Sequence, residues 1–468
     1  MDMSAYKTVG KEDIDFLRSV VGDSRLYAGD AISKDFSHDE MGGVHKMPEV
    51  LVEPLKTEEV SKIMAYANKS NIPVVIRGCG TGLVGASVAI HGGIMLSMAK
   101  MKQILELDED NLTLTVEPGL TLQEIIDYVT PRDFMYPPDP GEKNAAIGGN
   151  INTNAGGMRA VKYGVTRDYI RGLEVVLPSG KVIEVGEKKA VKNSSGYSLK
   201  NLIIGSEGTL GVVTRAVLKL VPLPKIVVSL LIPFKDLESA IETVPKIVRS
   251  KSLPTSIEYM EREVILDSEK FLGKKFPDNT ADSYLLLTFD GSNMETVEKD
   301  YEAVAEICLE SGALDVLVID TPDRKEAIWS TRGSFLEAIK NSTTAMDECD
   351  VCVPRNKIAD FIKYTHEIRD KSGVRIKSFG HAGDGNLHAY ILKDQMTEEE
   401  WEKKSGEIFT LLYNKAEELD GLVSGEHGIG YVKKEYFHRQ LGEEQVNIMR
   451  GIKAVFDPNN ILNPGKVI

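Results

Sequence analysis

Residues 147–157 read Ile-Gly-Gly-Asn-Ile-Asn-Thr-Asn-Ala-Gly-Gly, a run of small and polar residues that hydrophobic packing alone does not explain. Glycines allow backbone N–H groups to approach an anionic group closely and to form a nest around it. The run is therefore suited to lining a long, phosphate-bearing ligand. Three other unusual segments occur in the same half of the chain: RGCGTG at 77–82, PPDP at 137–140 and IGSEGTLG at 204–211.

The segment RGCGTG follows a strand-like stretch at 73–76, which is where a dinucleotide-binding turn would begin. The Rossmann fingerprint, however, requires a helix directly after its glycines and an acidic residue about twenty positions later. Here Gly85 interrupts the following apolar stretch, and Lys100 and Lys102 occupy the later region. The segment is therefore not a Rossmann turn. It is either an anion-binding nest, in which Thr81 adds a hydroxyl donor, or a tight loop between strands.

The order of the predicted elements indicates an α+β protein. A helix is predicted at 57–68, and short strands with brief helices follow as far as a proline-containing boundary near residue 222. Beyond it the elements follow the βαββαβ order of a ferredoxin-like antiparallel sheet, with a surface insertion at 263–282. The predicted elements of this part are strand 226–233, helix 236–250, strand 254–260, strand 283–289, helix 295–311 and strand 315–320. Later helices are predicted at 357–372, 397–419 and 442–456.

Length and composition exclude several classes of protein. The 468 residues are enough for two or three domains, and the formal net charge of −15 argues against a nucleic-acid partner. The four cysteines are too sparse for a disulfide framework, which favours a reducing compartment. No signal peptide and no apolar stretch of membrane-spanning length is recognised. We therefore expect a cytoplasmic protein without a membrane span.

Two glycine-flanked segments concentrate histidines in the last quarter of the chain. Residues 374–381 and 387–392 are predicted to form a hairpin, which brings His381 and His388 to the same end of two strands. The second segment, SGEHGIG at 424–430, contains Glu426 and His427. Two imidazoles and a carboxylate match the three-ligand set of an open catalytic metal site. The alternative is that each histidine is a hydrogen-bonded turn residue.

Taken together, the motifs P-x-x-x-R-G-x-G-T-G, PPDP, GGN-x-x-x-NAGG, GSEGTLG and a C-terminal NPGK resemble those of the FAD-linked oxidases of the vanillyl-alcohol-oxidase type. The most similar subgroup contains D-lactate dehydrogenases, glycolate oxidase flavin subunits and D-2-hydroxyglutarate dehydrogenases. The resemblance implies a two-subdomain PCMH-type FAD-binding domain at 1–222, a substrate (cap) domain with the ferredoxin-like core at 223–415, and a C-terminal helical segment at 416–468 that returns to the FAD domain.

The resemblance also implies which residues surround FAD. In some relatives a histidine in the first glycine segment binds the flavin covalently, but this chain has Cys79 there, so we expect non-covalent FAD. The implied cofactor-binding residues are Arg77, Gly78, Cys79, Gly80, Thr81, Gly82, Pro138, Asp139, Gly148, Gly149, Asn154, Gly156, Glu207, Gly208, Gly211, Val212 and Asn463.

For the histidine segments, the resemblance implies that His381, His388 and Glu426 bind a divalent metal, which could be Fe, Zn or Mn. His427 matches the catalytic base of the subgroup. Arg332, which we place at the start of a helical stretch, matches the residue that binds the substrate carboxylate. This assignment leaves the hairpin and the 424–430 segment as the expected centre of catalysis.

Two positions depart from the subgroup. Tyr390 stands where many relatives carry an asparagine, so it is the expected but altered substrate contact. Glu348 lies near the position of a lysine in relatives that act on dicarboxylic substrates. This difference favours a monocarboxylate such as lactate over 2-hydroxyglutarate.

The resemblance leads to a specific mechanism. Arg332 is expected to orient the substrate carboxylate, the metal to bind the 2-hydroxyl group, and His427 to accept its proton, while hydride passes from C2 to flavin N5. The best candidate reaction is oxidation of D-lactate to pyruvate, with electrons passed to an electron-transferring flavoprotein in an electron-bifurcating system. The alternative is a D-2-hydroxyglutarate or glycolate dehydrogenase with a quinone or cytochrome acceptor.

Two interpretations from other classes remain open at this point. A metal-dependent hydrolase would use the histidine cluster without FAD and would be colourless. A non-catalytic flavoprotein subunit would be yellow, but no hydroxy acid would reduce its flavin. The pair Cys349 and Cys352 has CxxC spacing but no second pair, so we interpret it as packing rather than as a zinc or iron–sulfur site.

Overall fold

The computed structural model describes residues 6–40 and 43–468, which form two compact units. The first unit consists of the chain up to Ala155, Val165–Leu223 and His427–Ile468. The second consists of Gly156–Gly164 and Pro224–Glu426. The domain boundaries after residues 222 and 415 that we inferred from the sequence are not tested by this division into units, and they stay a prediction.

The first unit contains a small mixed sheet covered by two helices. Its strands lie in the order Leu26–Ala28, Val50–Val52, Ile94–Ser97 and Val74–Arg77, and the last three are parallel. The helices are Lys11–Val21 and Thr57–Ser70. The helix predicted at 57–68 is confirmed, and its apolar side chains Val60, Ile63, Met64 and Ala67 are all fully buried.

A second sheet of the first unit is wholly antiparallel. Its five strands lie in the order Ile104–Asp108, Thr113–Val116, Val212–Lys219, Ile170–Val176 and Val182–Gly186. The remaining two strands of the unit, Phe134–Met135 and Val221–Pro222, pair with each other. Its other helices are Leu122–Val129, Ile147–Thr153, Leu199–Ile203, Lys434–Leu441 and Glu443–Phe456. The sequence predicted the last of these helices but not Lys434–Leu441.

The second unit is built on a seven-stranded antiparallel sheet. The strands lie in the order Leu317–Ile319, Ile226–Phe234, Ser283–Gly291, Ser256–Glu261, Ile376–His381, Asn386–Leu392 and Met346–Cys352. The first four are the predicted ferredoxin-like strands, and the predicted histidine hairpin extends the same sheet. Its helices are Ala160–Tyr163, Leu237–Arg249, Arg262–Leu272, Met294–Glu310, Pro322–Gly333, Phe335–Asn341, Ile358–Ser372 and Glu398–Glu418.

Two expectations from the sequence are wrong. The stretch 263–282 is not a surface insertion, because the helix Arg262–Leu272 buries Val264 and Ile265 in the core of the unit. Its charged residues Arg262, Glu263 and Lys270 are exposed, whereas Glu269 lies on the buried side and accepts the Phe276 N–H at 2.8 Å. Arg332 lies at the end of a helix rather than at its start. The helix begins at Pro322, and Thr321 accepts a hydrogen bond at its N-cap.

The CxxC pair occupies the edge strand Met346–Cys352 of this sheet. Because side chains alternate along a strand, Cys349 and Cys352 point to opposite faces and cannot bind one metal ion together. Cys349 is fully buried, which agrees with a packing role. Among the helices of the described chain, none is both long and apolar enough to cross a membrane.

Candidate active site

The predicted histidine hairpin is confirmed and brings two imidazoles together in the second unit. Its strands, Ile376–His381 and Asn386–Leu392, pair with His381 opposite Asn386 and Phe379 opposite His388. Consequently the rings of His381 and His388 lie edge to face, with their centroids 5.6 Å apart. Both histidines are buried.

A third residue of the predicted metal set, Glu426, joins the two imidazoles. Nε2 of His381 and Nε2 of His388 each lie 3.3 Å from Oε1 of Glu426. The donor atoms of the three residues all lie within 4.8 Å of one another. Of the predicted catalytic and metal residues, these three are the ones that converge on a single point in this unit.

Each imidazole is oriented by a buried carboxylate on its other nitrogen. Nδ1 of His381 donates to Oε1 of Glu258 at 2.8 Å, and Nδ1 of His388 donates to Oε1 of Glu348 at 2.9 Å. In both cases Nε2 is the nitrogen directed to Glu426. An imidazole that donates from Nδ1 to a carboxylate and presents Nε2 to a common point is typical of metal-binding histidines.

A third buried carboxylate, that of Asp350, fixes the loop that carries Glu426. It accepts hydrogen bonds from the Ser424 hydroxyl at 2.8 Å, from the Gly425 N–H at 3.1 Å and from the Glu426 N–H at 3.4 Å. A Cβ atom at 425 would lie 2.0 Å from Nδ2 of Asn386, which itself donates to Asp350 at 2.7 Å, so glycine lets the loop pass close to this side chain. The sequence alone identified neither Glu258 nor Asp350.

The electrostatics of the cluster favour a cation. Burial opposes the charged form of His381, yet the carboxylates of Glu258 and Glu426 outweigh it and hold the pKa of His381 well above its usual range. Burial likewise opposes charge on His388, but the hydrogen bonds to Glu348 and Glu426 raise its pKa to about 9. Burial would raise the pKa of Glu426, but the two histidines lower it well below its ordinary value.

The residues present fit a divalent metal ion. Glu258, Glu348, Asp350 and Glu426 contribute four buried carboxylates, and the Arg332 guanidinium is the cation paired with one of them. With both imidazoles neutral, as metal binding requires, this leaves a formal excess of three negative charges. Two nitrogen donors and one carboxylate oxygen, already aimed at one point, are the ligand chemistry of an open transition-metal or zinc site.

The predicted substrate-binding arginine lies beside this cluster. Nε and Nη2 of Arg332 donate to Oε2 of Glu258 at 2.9 and 2.6 Å. Its guanidinium carbon lies 4.8 Å from the ring centroid of Phe379 and 5.4 Å from that of Phe335. Tyr390 is buried and stacks on Phe379, with 5.4 Å between the centroids. Arg332 and Tyr390 therefore belong to the same layer of side chains as His381.

In the first unit, residues from the distant glycine motifs are joined by hydrogen bonds. Asn152 of the 147–157 segment accepts the Gly208 N–H at its side-chain oxygen, at 3.0 Å, and the Glu207 N–H at its carbonyl, at 2.8 Å. Nδ2 of Asn463 donates to the carbonyls of Glu207, at 2.7 Å, and Ala86, at 3.0 Å. Four segments that lie far apart in the sequence thus meet at one place.

The first glycine loop is held by two residues that come before it in the sequence, Arg77 and Asp39. Arg77 donates to the carbonyls of His38 at 2.7 Å and Asp35 at 3.0 Å. Its guanidinium therefore ties the start of the loop to the segment 35–38. Oδ2 of Asp39 accepts the Gly85 N–H at 2.5 Å. Gly80 has a φ of +82°, and a Cβ there would lie 2.1 Å from Arg77. Asp39 was not recognised from the sequence.

The other implied cofactor residues have diverse surroundings. Asp139 forms an ion pair with Lys143. Asn154 adopts a left-handed conformation and accepts the Arg167 N–H at 2.9 Å. Val212 begins a strand and is fully buried, whereas Gly156 belongs to the second unit. Contact of these residues with a cofactor stays a prediction.

The first unit fits a flavin nucleotide on two observations. A Cβ built on Gly149 would meet no atom within 4 Å, and one built on Gly82 would meet a single atom at 3.9 Å, so there is room beside both glycine segments. The buried hydroxyl of Ser206 has no hydrogen-bond partner among the described residues. Open space along glycine backbones with a spare hydroxyl is suited to a pyrophosphate. Cys79 is exposed as a residue, yet desolvation of its sulfur raises the pKa of the thiol.

His427, the predicted base, directly follows Glu426 in the sequence and belongs to the first unit. Glu207 fixes the backbone of residues that follow His427 in the sequence. Its carboxylate accepts the N–H groups of Ile429 and Gly430, both at 2.7 Å. Gly428, between them and His427, has a φ of +86° and no room for a Cβ, which would lie 2.8 Å from the Glu207 carboxylate.

Comparison with protein families gives two matches that together span most of the chain. Residues 48–186 match the family model of the FAD binding domain, and residues 223–467 match that of FAD linked oxidases, C-terminal domain. A D-lactate dehydrogenase of Anaerostipes hadrus is 48% identical, with 99% of this chain and 98% of that protein covered. Glycolate oxidase subunit GlcD of Bacillus subtilis is 41% identical, with coverages of 92% and 91%.

Solved structures share the fold at low sequence identity. The structure of p-cresol methylhydroxylase with substrate bound has a TM-score of 0.81 at 17% identity and covers 99% of this chain and 98% of its own. That of alkyldihydroxyacetonephosphate synthase has a TM-score of 0.76 at 19% identity, with coverages of 99% and 88%. These likenesses confirm the predicted α+β fold class and carry no information on the substrate.

Proposed function

The chain belongs to the family of FAD-linked oxidases, and from this premise we propose that it oxidises a small D-2-hydroxy acid, with D-lactate as preferred substrate and pyruvate as product. Family membership confirms the resemblance inferred from the glycine-rich motifs and makes FAD the cofactor. The observation that carries the proposal is the buried cluster of His381, His388 and Glu426, which shares Glu258 with Arg332.

The first unit would hold FAD near the place where the segments that contain Ala86, Asn152, Glu207 and Asn463 meet. The residues around Gly78–82, Gly148–149, Ser206–Gly208 and Asn463 would bind it non-covalently. When bound, the flavin supplies a two-electron acceptor for the hydrogen removed from C2 of the substrate. Support for non-covalent binding comes from the sequence between 73 and 87, which has no histidine.

In the second unit, Nε2 of His381, Nε2 of His388 and the Glu426 carboxylate would hold a divalent cation such as Fe, Zn or Mn. A bound cation supplies Lewis-acid chemistry that lowers the pKa of a hydroxyl group. Glu258 and Glu348 would keep both histidines in the tautomer that presents Nε2.

Two further side chains would act on the substrate directly. Arg332 would bind its carboxylate, because the Nη1 side of the planar guanidinium is not used in the hydrogen bonds to Glu258. His427 would accept the proton of the 2-hydroxyl group as general base. Glu207 supports this role by fixing the backbone at 429 and 430.

A monocarboxylic substrate is favoured over 2-hydroxyglutarate by the charge of the cluster. Glu348, which hydrogen-bonds to His388, is buried and would repel a second substrate carboxylate. The relative from Anaerostipes hadrus, a D-lactate dehydrogenase, supports the same choice. Glycolate is the second candidate, since a glycolate oxidase subunit is 41% identical.

For the electron acceptor, we propose an electron-transferring flavoprotein in the cytoplasm, within an electron-bifurcating system. With four scattered cysteines, the sequence has no run that could hold an iron–sulfur cluster of its own, so electrons must leave to a separate carrier. A quinone or a cytochrome is the rival acceptor. Reduced enzyme that passes no electrons to such a flavoprotein would exclude the preferred partner.

The proposed substrate is tested by comparing D-lactate, L-lactate, glycolate and D-2-hydroxyglutarate with an artificial dye acceptor. We expect kcat/KM to be highest for D-lactate, with pyruvate formed in proportion to dye reduced. A preference for D-2-hydroxyglutarate would overturn the assignment of D-lactate as substrate. It would imply that a cationic side chain binds the second carboxylate of the substrate. No turnover of any hydroxy acid by yellow protein would favour the non-catalytic flavoprotein subunit.

A further inference from the structure

We propose that Glu258 is a positioning residue that couples the cation site to the substrate-binding arginine. The inference rests on the proposed function, in which His381 is a cation ligand and Arg332 binds the substrate carboxylate. Glu258 itself would touch neither cation nor substrate. Its single carboxylate would set the orientation of both groups.

The geometry of Glu258 is unusual because one oxygen serves two functional side chains. Oε2 accepts hydrogen bonds from Nε and Nη2 of Arg332, at 2.9 and 2.6 Å, and lies 3.0 Å from Nδ1 of His381. Oε1 lies 2.8 Å from the same Nδ1. Glu258 is fully buried, so water does not screen these contacts.

The position of Glu258 in the sheet makes the contact rigid. Glu258 lies in the middle of the strand Ser256–Glu261 and pairs directly with His381 on the neighbouring strand. Both strands are interior to the seven-stranded sheet. A carboxylate in this place has little freedom to follow one partner without altering its contact with the other.

Arg332 depends on Glu258 for its direction. The rings of Phe335 and Phe379 lie 5.4 and 4.8 Å from its guanidinium carbon and restrict the plane of the group. Rotation within that plane is restrained by the two hydrogen bonds to Oε2. Since a carboxylate is bound best by a correctly directed guanidinium fork, loss of Glu258 would weaken substrate binding.

Glu348 provides a matched control inside the same cluster. It accepts a hydrogen bond from Nδ1 of His388 at 2.9 Å, as Glu258 does from His381, and it is also buried. It lies on a different strand, Met346–Cys352, and the hydrogen bonds of the Arg332 side chain go to Glu258. Glu348→Gln therefore perturbs the cation site and leaves the hydrogen bonds of Arg332 in place, whereas Glu258→Gln perturbs the cation site and the arginine.

The first experiment measures two properties of the FAD-containing protein after removal of metal. Zn²⁺ affinity is measured by titration calorimetry, and KM and kcat for D-lactate are measured at saturating metal. We expect both Gln variants to lose about 10- to 100-fold in Zn²⁺ affinity. Glu258→Gln should also raise KM for D-lactate, by roughly 10-fold and more than Glu348→Gln does, because it alone removes the hydrogen bonds of Arg332. Equal KM values in the two variants, or unchanged Zn²⁺ affinity in Glu258→Gln, would overturn the proposal.

A second measurement does not depend on turnover, so it separates the failure of this inference from failure of the proposed function. Coupling is reciprocal, so replacing Arg332 should change Zn²⁺ affinity through Glu258. The effects of Arg332→Gln and Glu258→Gln should be non-additive, and those of Arg332→Gln and Glu348→Gln additive. Arg332→Lys, which keeps the charge, serves the same cycle if Arg332→Gln does not fold. Additive effects in both pairs would refute the coupling, even in a protein that does not oxidise D-lactate.

Discussion

The carboxylate of Glu207 accepts a hydrogen bond from the backbone N–H of Ile429 at 2.7 Å, although the two residues lie 222 positions apart in the chain. The neighbouring Gly430 N–H donates to the other oxygen at the same distance. The contact joins the GSEGTLG motif to the segment that begins with His427. A motif that resembles a cofactor-binding element therefore also fixes the backbone next to the proposed base.

The first prediction concerns the pH dependence of stability. Burial raises the pKa of Glu207 from its ordinary value of 4.5 to about 7, although the two N–H groups oppose the shift. Between these values the folded protein binds more protons than the unfolded chain, so Glu207 makes the free energy of unfolding fall as pH rises. The whole fall is of the order of 3–4 kcal/mol, at about 1.4 kcal/mol per pKa unit.

Glu207→Gln should remove this contribution, which urea unfolding of FAD-saturated protein measures at several values between about pH 5 and pH 7. The range stops there because burial lowers the pKa of Lys466 to about 7, and a lysine shifted in this way titrates with the opposite sign at higher pH. Wild type and variant with the same pH profile would show that Glu207 keeps an ordinary pKa.

The second prediction concerns the proposed base. His427→Ala should slow the reduction of the flavin by D-lactate by roughly 10²- to 10⁴-fold, because the 2-hydroxyl group loses its proton acceptor. FAD content should not change. His366→Ala is a suitable control, since His366 is not one of the clustered residues. Its Nε2 lies 2.9 Å from Oε2 of Glu261. Near-normal flavin reduction in His427→Ala would assign the proton to another group.

The third prediction uses two glycines of the second unit. Gly425→Ala would bring a Cβ to 2.0 Å from Nδ2 of Asn386, so either the loop that carries Glu426 or the Asn386 side chain, which donates to Asp350, must shift. We expect weaker Zn²⁺ binding by at least about 10-fold. Gly406→Ala, in the helix Glu398–Glu418, meets no atom within 4 Å and should stabilise the protein. The expected gain is about 0.5–1 kcal/mol.

These two glycine variants are compared by Zn²⁺ titration and by urea unfolding. A Gly425→Ala protein that binds Zn²⁺ like wild type would mean that Glu426 is not positioned by this loop. Destabilisation by Gly406→Ala would instead question the helix that contains it.

The fourth prediction concerns metal removal. Treatment with a chelator should leave FAD bound but lower the rate of D-lactate oxidation by at least about 10²-fold, and added Mn²⁺ or Zn²⁺ should restore it. His388→Ala should lose the metal and respond to neither treatment, because Nε2 of His388 is one of three donors. A chelated enzyme with an unchanged rate would remove the cation from the chemistry.

The sequence predicted the elements that depend on local pattern. The helix Thr57–Ser70, the ferredoxin-like strands and the hairpin that contains His381 and His388 all have clear hydrophobic periods or turn residues. The end of a helix at Arg332 was missed because the start signal, Thr321 followed by Pro322, was overlooked. Local sequence signals thus predict most of the secondary structure, and the misplaced Arg332 comes from one such signal that was missed.

The carboxylates that orient the site could not be predicted in the same way. Glu258 lies opposite His381, and Asp350 lies opposite His388, on strands more than thirty residues away in sequence. Which strands are neighbours depends on the order of the whole sheet, and nothing near these residues in the sequence specifies it. Residues whose role comes from sheet register therefore became visible once the structure was available.

Oxidation of D-lactate by bound FAD is tested most directly by an anaerobic absorbance spectrum of the purified protein before and after D-lactate is added. We predict the bands of oxidised flavin, bleaching of these bands by D-lactate but not by L-lactate, and one pyruvate formed for each flavin reduced. Flavin bands that persist with D-lactate, in protein that contains both FAD and metal, would contradict the proposed function.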